Sequence, residues 1–378
     1  MLTNSIQLSI LMGPTIPVPL SATLTEAVRS IEITQSDAGR SGFQIDFTVG
    51  RRRGFIGVND YPLLDDPQVQ LFNRVVIIIT LNAKPTMLMD GIITYAQLTP
   101  SNDPAASRYV ITGEDISIMM DMDEKVLVHP AQSEGLIAET ILAQYAALDI
   151  ESIVIPPPVV DNPSPVERIP MQHGTDLAYL EEMAARFNYV FYVSTGPVPF
   201  VNTAYWGPPK WFDVPQPALS VNMGPATNVK SLNFSANSIA PRIVSGDIQD
   251  RITNQAMPIE SLVDNLPPLA TNQMSFRPRT VLPRDTDGMD YQQAYEKAQA
   301  MVNNSWQHAV TATGELDTAN YGSVLQARSV IGIRGAGVSY DGLYYVQSVT
   351  HRIQLGNYEQ SFTLQRQGLG STVSTVAL

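Results

Sequence analysis

Three carboxylates close together, Asp121, Asp123 and Glu124, are the first residues of this 378-residue chain whose type and spacing could do chemistry. Two carboxyl groups that flank a glycosidic bond can act as acid and base, or as acid and nucleophile, in glycoside hydrolysis. A run of acidic side chains on a short helix or turn is more typical of a solvated face. We therefore predict no acid–base pair here, and no catalytic residue elsewhere in the chain.

A second acidic run, D-T-D-G-M-D, contains Asp285, Asp287 and Asp290. Carboxylates at this spacing occur in calcium loops, but the run lacks the ligand order and the distant bidentate glutamate of an EF-hand. Asp290 also precedes a segment with helical periodicity, for which it can act as the N-cap. The run therefore predicts a helix-capping turn and not a metal site.

The chain contains no cysteine, which excludes disulfides, thiolate nucleophiles and cysteine-bound metals. Its four histidines are scattered, and none belongs to an H-E-x-x-H zinc motif: His129, His173, His308 and His351. The glycines between Gly332 and Gly337 follow a predicted strand but open no helix, so they do not indicate a phosphate-binding loop. We predict no metal and no cofactor.

The acidic balance of the chain limits its partners. It carries 36 Asp and Glu residues against 23 Lys and Arg, a formal net charge of −13. Because such a surface repels the phosphate backbone, we predict no specific nucleic-acid binding. The N-terminal segment SIQLSILMG lacks a basic flank, and no apolar run approaches the ~20 residues that span a bilayer. We therefore predict no stable membrane insertion.

The segment from Tyr205 to Phe212 is rich in aromatic residues and includes Trp206 and Trp211. Together with the acidic pairs, it motivates an alternative function as a secreted β-rich glycan-binding or glycan-cleaving protein. Saturable binding of a defined oligosaccharide, lost on substitution of either tryptophan, would favour this alternative.

Strand patterns with little helix fill residues 1–115. Alternating residues lie between Ala27 and Gln35 and from Phe43 to Val49, and a continuous β-branched run spans Val75 to Leu81. Several short strands between turn residues predict an antiparallel barrel or sandwich. We therefore predict a first β domain that ends near Asp115.

Helical patterns dominate residues 116–196 and predict a small α+β module. Ser133 can cap a helix whose predicted core-facing side consists of Leu136, Ile137, Thr140, Ile141 and Tyr145. Residues 197–378 predict a second barrel that opens at Val229–Ala236 and ends in a tail, 369–378. An extended connection over Gln249–Asp287 and a helix at about 290–307 interrupt it.

The segment from Gly174 to Val193, GTDLAYLEEMAARFNYVFYV, predicts a core helix that leads directly into an aromatic strand. Thr175 can cap the helix, and Asp176 lies in its first turn, where the helix dipole favours a carboxylate. Apolar residues spaced three or four positions apart predict the buried face of this helix, which consists of Leu177, Leu180, Ala184 and Phe187.

The same segment resembles the S/T-D-L-x-x-L-x-x-x-A-x-x-x-G-Y-x-F-Y-V signature of the phage late control protein D family, with Asn188 in place of the usual glycine. This family comprises the baseplate hubs of contractile tails, including T-even-like central hubs and the hub portion of type VI spike proteins. Gly342 to Gly368 is similar to the family's closing hairpin, Y-x-V-x-x-V-x-H followed by G-x-Y-x-x-x-F-x-L-x-R. Asp90 to Gly113 resembles its G-x-I and G-x-D strands, and the three matches follow the family order.

The resemblance implies a β-rich α+β fold with two tail-tube-like antiparallel β-barrels and an intervening small α+β module. It implies a homotrimer that forms a pseudo-sixfold ring, a symmetry adaptor between a hexameric tail tube and a trimeric central spike. Because only residues 369–378 follow the closing hairpin, we expect the spike to be a separate protein. We expect further baseplate partners and a location in a virion tail baseplate or an extracellular injection particle, assembled in the host cytoplasm.

Two segments are candidate interfaces for such a hub. The small and β-branched residues of the tail suit an extended strand that adds to the spike's sheet: Leu369, Gly370, Ser371, Thr372, Val373, Ser374, Thr375 and Val376. The basic triplet Arg51, Arg52 and Arg53 could orient the chain against an acidic tube or a neighbouring subunit. A frayed terminus and a solvated turn are the respective alternatives.

Overall fold

The computed structural model describes residues 6–53, 59–103, 106–160, 163–166, 168–196, 198, 200–250, 252–273, 277–282 and 289–373. Strands of the N-terminal part are β1 (Ile6–Gly13), β2 (Val18–Pro19), β3 (Val28–Ser36), β4 (Gly42–Thr48), β5 (Arg52–Arg53), β6 (Asn59–Asp60), β7 (Arg74–Leu81), β8 (Lys84–Thr99) and β9 (Arg108–Asp115). Strands of the middle part are β10 (Lys125–Val128), β11 (Ile150–Val154), β12 (Met171–Gly174), β13 (Val190–Thr195) and β14 (Asn202–Gly207).

The C-terminal part contains β15 (Gln216–Ser220), β16 (Val229–Ala236), β17 (Ile243–Gln249), β18 (Ala256–Ser261), β19 (Ala270–Gln273), β20 (Arg279–Val281), β21 (Val310–Asp317), β22 (Val330–Arg334), β23 (Gly342–Gln354), β24 (Asn357–Arg366) and β25 (Gly368–Ser371). The α-helices are α1 (Ala22–Ala27), α2 (Glu134–Ala143), α3 (Asp176–Arg186), α4 (Tyr291–Gln307) and α5 (Thr318–Tyr321). Among the described residues, none of these helices has the length and apolar character needed to cross a membrane.

One large sheet dominates the fold and confirms a β-rich architecture with few helices. Its strands follow the order β16-β21-β24-β23-β3-β4-β9-β8-β7-β1-β2, and β22 joins it through β23 and carries β15. Neighbouring strands on this path are antiparallel, whereas β15 and β22 run parallel. The predicted β-branched run forms β7, whose residues are mostly buried.

The pairing of β3 with β23 joins the two halves of the chain. Seven residues of β3, from Ser30 to Ser36, lie opposite Gln354 to Ser348 of β23. Two closed barrels were expected, but the strands that the structure describes close none, because β3 pairs with β23 on one side and with β4 on the other. Each half nevertheless has its own hydrophobic core, one around Ile33 and Phe47 and the other around Leu316 and Tyr344.

The α+β module has a third core, formed by α2, α3 and the sheet β11-β14-β13. Ser133 caps α2 as predicted, since its hydroxyl accepts a hydrogen bond from the Leu136 amide. The predicted face of α2 is wrong at Leu136, which is 47% exposed, and at Thr140, which is also exposed, whereas Ala138 and Leu142 are buried. The apolar residues of α2 surround much of the helix, so periodicity alone did not define the buried side; packing against the sheet did.

The described residues between β16 and β21, which pair with each other, include a further small sheet and the helix α4. β17, β18 and β20 form a three-stranded sheet, and α4 packs on it through Ala294, Val302 and Trp306. The segment Gln249–Asp287, predicted as an extended connection, contains the strands β18, β19 and β20. Asp290 caps α4 as predicted, in a capping box with Gln293.

Asn188 lies in the connection between α3 and β13, where the chain changes direction. It adopts a left-handed backbone conformation with φ of 55°, directly after the C-cap Phe187. Asparagine tolerates this conformation better than other non-glycine residues, which accounts for its replacement of the glycine in the family signature.

We expect Asn188→Gly to leave the free energy of unfolding nearly unchanged and Asn188→Val to lower it by about 1–2 kcal/mol, because a β-branched residue is strained at this φ. Urea unfolding of the two variants measures the difference. Equal stability of the two variants would show that the left-handed turn does not limit stability here.

Candidate functional site

A polar face extends across the eight adjacent strands from β16 to β8. One row of opposed residues comprises Asn233, Thr313, Thr363 and Ser348 on β16, β21, β24 and β23. A second row comprises Ser231, Glu315, Ser361, Thr350 and Thr34, and a third comprises Arg352, Glu32, Gln44, Thr112 and Tyr95. The face therefore crosses the β23–β3 boundary between the two halves without interruption.

Alternation along each strand places the polar residues on this face and apolar residues underneath. Ile31, Ile33, Val349 and Phe362 are buried, while Glu32 and Thr34 between them are exposed. This pattern is that of an antiparallel sheet with one face on the core and the other in water. The hydrophobic cores thus fix which side chains the polar face displays.

The charges on the polar face are largely arranged in pairs. Arg352 lies 3.2 Å from Glu32, across the boundary between β23 and β3, and Lys230 pairs with Glu359. Arg40 contacts Glu114 at 2.7 Å. The hydroxyl oxygens of Thr34 and Thr350 lie 3.2 Å apart across the same boundary. With paired charges and short hydroxyl side chains, the face offers no concentrated acid, base or nucleophile.

His351 lies beneath this face and belongs to the closing-hairpin match. Its Nδ1 is 2.8 Å from the Tyr358 hydroxyl and 3.2 Å from the amide nitrogen of Gln360. The Gln360 side chain also bonds both backbone groups of Leu325 and accepts a hydrogen bond from Thr318. Burial lowers the pKa of His351 to about 3, so the ring is neutral at physiological pH.

We expect the free energy of unfolding to fall as the pH decreases from about 6.5 towards about 3, because His351 is neutral in the folded protein. The unfolded histidine binds a proton near pH 6.5 but the folded one does not, so this contribution, about 1.4 kcal/mol per pH unit, is lost on acidification. Urea unfolding at pH 7 and pH 4 should show a smaller pH dependence for His351→Asn than for the wild type. His173→Gln, at an exposed position, is the control and should behave as the wild type; an unchanged slope in His351→Asn would contradict the assignment.

Arg328 joins the two halves of the sheet and the α+β module at a buried junction. Its guanidinium donates hydrogen bonds to the Ser36 carbonyl at 2.6 and 2.9 Å, to the Ser41 hydroxyl at 2.9 Å and to the Val193 carbonyl at 3.4 Å. It lies 4.0 Å from the centre of the Tyr192 ring. These partners belong to β3, β13 and the β3–β4 connection, so one side chain fixes three segments.

Two buried carboxyl groups flank Arg328. Burial raises the pKa of Asp37 to about 6, although the Tyr345 hydroxyl and Arg328 act in the opposite direction. Burial also raises the pKa of Asp115, whose carboxylate accepts hydrogen bonds from the amides of Ser41 and Ser117. A polar cavity of about 230 Å³ adjoins the junction. The neighbouring Arg74–Asp90 pair, with Asn202 bonded to Asp90, adds a second link between sheet and module.

The tail residues predicted to meet a spike begin in a strand of the chain's own fold. Leu369, Gly370 and Ser371 belong to β25, which pairs antiparallel with β19. The buried Arg366 of the hairpin match donates to the carbonyls of Ser339 and Asp341 beside this strand. Thr372 and Val373 follow β25. Ser374, Thr375 and Val376 lie outside the described residues.

The basic triplet lies in a different sheet from the tail. Arg52 and Arg53 form β5, which pairs with Asp60 and Asn59 of β6. Arg51 is exposed, and its guanidinium is 5.8 Å from the centre of the Tyr61 ring. The structure therefore keeps the two predicted interface segments in separate two-stranded sheets.

The acidic residues considered for catalysis have structural contacts. Asp121 lies 3.1 Å from Arg40 and accepts a hydrogen bond from Thr175, whereas Asp123 and Glu124 are exposed. Asp285 and Asp287 lie outside the described residues. Over the part of the chain that the structure describes, no group of three or more histidine or carboxylate side chains is arranged to hold a metal.

Arg328 could not be recognised from the sequence, because a lone arginine before an apolar strand carries no local signal of its partners. Gly91 and Gly113 lie in the segment that resembles the hub family. The structure shows why glycine is required at both positions. A Cβ on Gly91 would lie 2.2 Å from the Glu114 carbonyl oxygen, and one on Gly113 would lie 2.2 Å from that of Ile92.

No family model and no curated protein matches this chain. Solved structures do match it. A tail protein from Neisseria meningitidis MC58 is 11% identical over 96% of this chain and 98% of that chain, with a TM-score of 0.64. The 43 kDa tail protein of prophage MuSo2 from Shewanella oneidensis is 10% identical over 95% and 98%, with a TM-score of 0.63.

A third similar structure is an E. coli component of the type VI secretion system, described as structurally similar to the T4 bacteriophage tail proteins gp27 and gp5. It is 13% identical over 90% of this chain and 73% of that chain, with a TM-score of 0.54. At these identities the likeness establishes the fold. The chain therefore shares the β-rich fold of phage-type tail proteins and of a type VI secretion component.

Proposed function

We propose that this chain is the structural baseplate hub of a contractile tail or a related injection particle. Three copies would join a hexameric tail tube to a separate trimeric central spike. The observation that carries the proposal is the single sheet that passes from one half of the chain to the other through β3 and β23. In this proposal each half serves as one tube-like unit, so three copies would combine threefold symmetry with six such units, which is what a symmetry adaptor requires.

The polar face of the sheet would line the passage through this ring. Its paired charges and hydroxyl side chains bind a passing polymer weakly, and a lining of this kind suits transit better than retention. The chain's formal net charge of −13 adds repulsion towards nucleic acid. The proposed role is therefore a conduit and a mechanical joint, not an enzyme.

In this proposal the domains are residues 1–115, 116–196 and 197–378. The three separate cores of the two sheet halves and the module support this division. The residues from Leu369 to Val376 would contact the spike, with β25 as their fixed base. The hub would also contact other baseplate proteins, in a virion tail or an extracellular particle assembled in the host cytoplasm.

The structure buries both tryptophans whose substitution was to test the glycan-binding alternative. Trp206 and Trp211 are 0% and 1% exposed. Trp206 packs in the core of the module and donates a hydrogen bond to the Leu180 carbonyl, and Trp211 stacks on Tyr345. Neither ring is available as a stacking platform for a sugar, so no second function is proposed.

Light scattering of the purified chain, with and without the spike protein encoded beside it, tests the hub proposal. We expect a trimer whose end-on images show a pseudo-sixfold ring. A chain that stays monomeric even with the candidate spike would contradict the proposal.

The basic triplet provides a test of one ring contact. We expect Arg51→Ser, Arg52→Ser and Arg53→Ser in combination to weaken ring assembly without unfolding the monomer, because rim charges orient a contact more than they stabilise the fold. Sedimentation measures assembly and circular dichroism measures folding. Arg29→Ser, Arg277→Ser and Arg279→Ser in combination is the charge-matched control. Assembly indistinguishable from the wild type would exclude a role of the triplet at the interface.

A further inference from the structure

The ribbon formed by β10 and β12 lies on the α+β module and has an exposed apolar outer side. Val126 is 70% exposed, Val128 57% and Met171 47%. The two strands form a sheet of their own, and no other strand that the structure describes pairs with either of them. An isolated two-stranded ribbon in water is marginally stable, so this one requires support from elsewhere.

The inner side of the ribbon is firmly anchored to α3. Asp176, in the first turn of α3, forms an ion pair with Lys125 of β10 and accepts hydrogen bonds from Gln172 of β12 and from Tyr145. Burial disfavours the charge of Asp176, but the hydrogen bonds from Lys125, Gln172 and Tyr145 lower its pKa overall. His129 stacks on Tyr179 of α3, with 5.9 Å between ring centres. The ribbon is thus held in place before any partner binds.

The outer edge of β10 presents backbone hydrogen-bonding groups. The His129 amide donates to the Pro170 carbonyl at 2.9 Å, which makes these two residues a hydrogen-bonded pair. Such pairs alternate along antiparallel strands, so Leu127 also bonds across to β12. The amide and carbonyl groups of Val126 and Val128 consequently point to the opposite, open edge. An open apolar edge of this kind is a template for another strand.

Charge identifies the kind of strand that fits. Asp123 and Glu124 are exposed and directly precede β10. The one lysine of the ribbon, Lys125, is engaged by Asp176 of the same chain. A second copy of the ribbon therefore brings no available cation to meet Asp123 and Glu124, whereas a basic segment of another protein does.

We propose that β10 is a docking edge for an extended segment of a partner protein in which apolar residues alternate with lysine or arginine. The partner's backbone pairs with Val126 and Val128, its apolar residues cover their side chains, and a basic residue beyond the start of β10 faces Asp123 and Glu124. The site is separate from the polar face of the large sheet and does not depend on its function.

Two blocked seven-residue peptides, of alternating valine and lysine or of alternating valine and glutamate, provide the test. Fluorescence anisotropy of labelled peptides with the full chain at low salt should show saturable binding of the lysine peptide, at least about tenfold tighter than that of the glutamate peptide. Hydrogen exchange should slow at residues 126 and 128. Equal binding of both peptides, or slowed exchange elsewhere only, would overturn the proposal.

Charge-reversal and edge-blocking variants separate the proposed site from general electrostatics. Asp123→Lys with Glu124→Lys should reverse the peptide preference, whereas Glu139→Lys with Glu151→Lys, equal in charge and exposed on the same module, should not. Val128→Pro should abolish binding, because it removes an edge amide that β12 does not use. Circular dichroism checks the folding of each variant. An unreversed preference, or protection of β10 that rises with protein concentration without peptide, would overturn the proposal, and the latter would identify a second copy as the occupant.

Discussion

Replacing Arg328 with methionine should lower the free energy of unfolding by about 3–5 kcal/mol, the usual cost of removing one partner from a buried charge cluster. The guanidinium fixes Ser36, Ser41 and Val193 and compensates the charge of Asp37 and Asp115. Without it, two buried carboxyl groups lose their cation and three segments lose a common donor. Urea unfolding gives the total effect, and hydrogen exchange over β13 shows whether the module detaches first.

Two control variants separate the effect of the buried charge from other effects of replacing an arginine. Arg352→Met removes an exposed arginine that is ion-paired with Glu32, and it should cost at most about 1 kcal/mol. Arg328→Gly suits the left-handed backbone at this position, φ 64°, but still removes the guanidinium, so it should be as damaging as Arg328→Met. A stable Arg328→Gly variant would show that backbone conformation, and not the buried charge, matters at this junction.

Gly113→Ala should cost about 3 kcal/mol or more, at the upper end of the effects of overpacking. The new methyl group would lie 2.2 Å from the carbonyl oxygen of Ile92 and 2.4 Å from the Phe43 ring. Gly113 is buried in β9 between β4 and β8, so the backbone of neither neighbour can move without breaking ladder hydrogen bonds. We expect a lower midpoint of thermal unfolding and loss of soluble protein on expression.

The controls distinguish backbone crowding from side-chain crowding. Gly50→Ala, where a Cβ would meet nothing within 4 Å, should leave stability close to that of the wild type. Phe43→Leu should not rescue Gly113→Ala, because the clash with the Ile92 carbonyl remains. Recovery of wild-type stability in that double variant would show that the ring alone limits the space at Gly113.

Local sequence patterns were sufficient for most individual elements. The caps of α2, α3 and α4 are Ser133, Thr175 and Asp290, as expected, because a cap depends on residues two or three positions away. The closing hairpin is also where the sequence places it, as β23 and β24. The unexpected strands β19 and β20 are only four and three residues long, and β18 contains Pro258, so none of them carries a clear alternating pattern.

The candidate site was less accessible from the sequence. The alternation between Ala27 and Gln35 predicted the strand β3, but not that Glu32 would meet Arg352, 320 residues away in the chain. The Arg51–Arg53 and Leu369–Val376 interfaces stay predictions. The docking edge of β10 could not be recognised either, because exposure of Val126 and Val128 depends on which strands leave that edge open.

The β-rich class, the helix caps and the closing hairpin could be predicted from the sequence, because each depends on contacts within a few residues. Three features depend on tertiary packing: the pairing of β3 with β23, the burial of Arg328 between three segments, and the exposure of Leu136. Strand pairing and burial depend on which surfaces meet across hundreds of residues, and many strands of similar pattern are compatible partners. The physical reason is that periodicity specifies a face, whereas packing specifies what covers it.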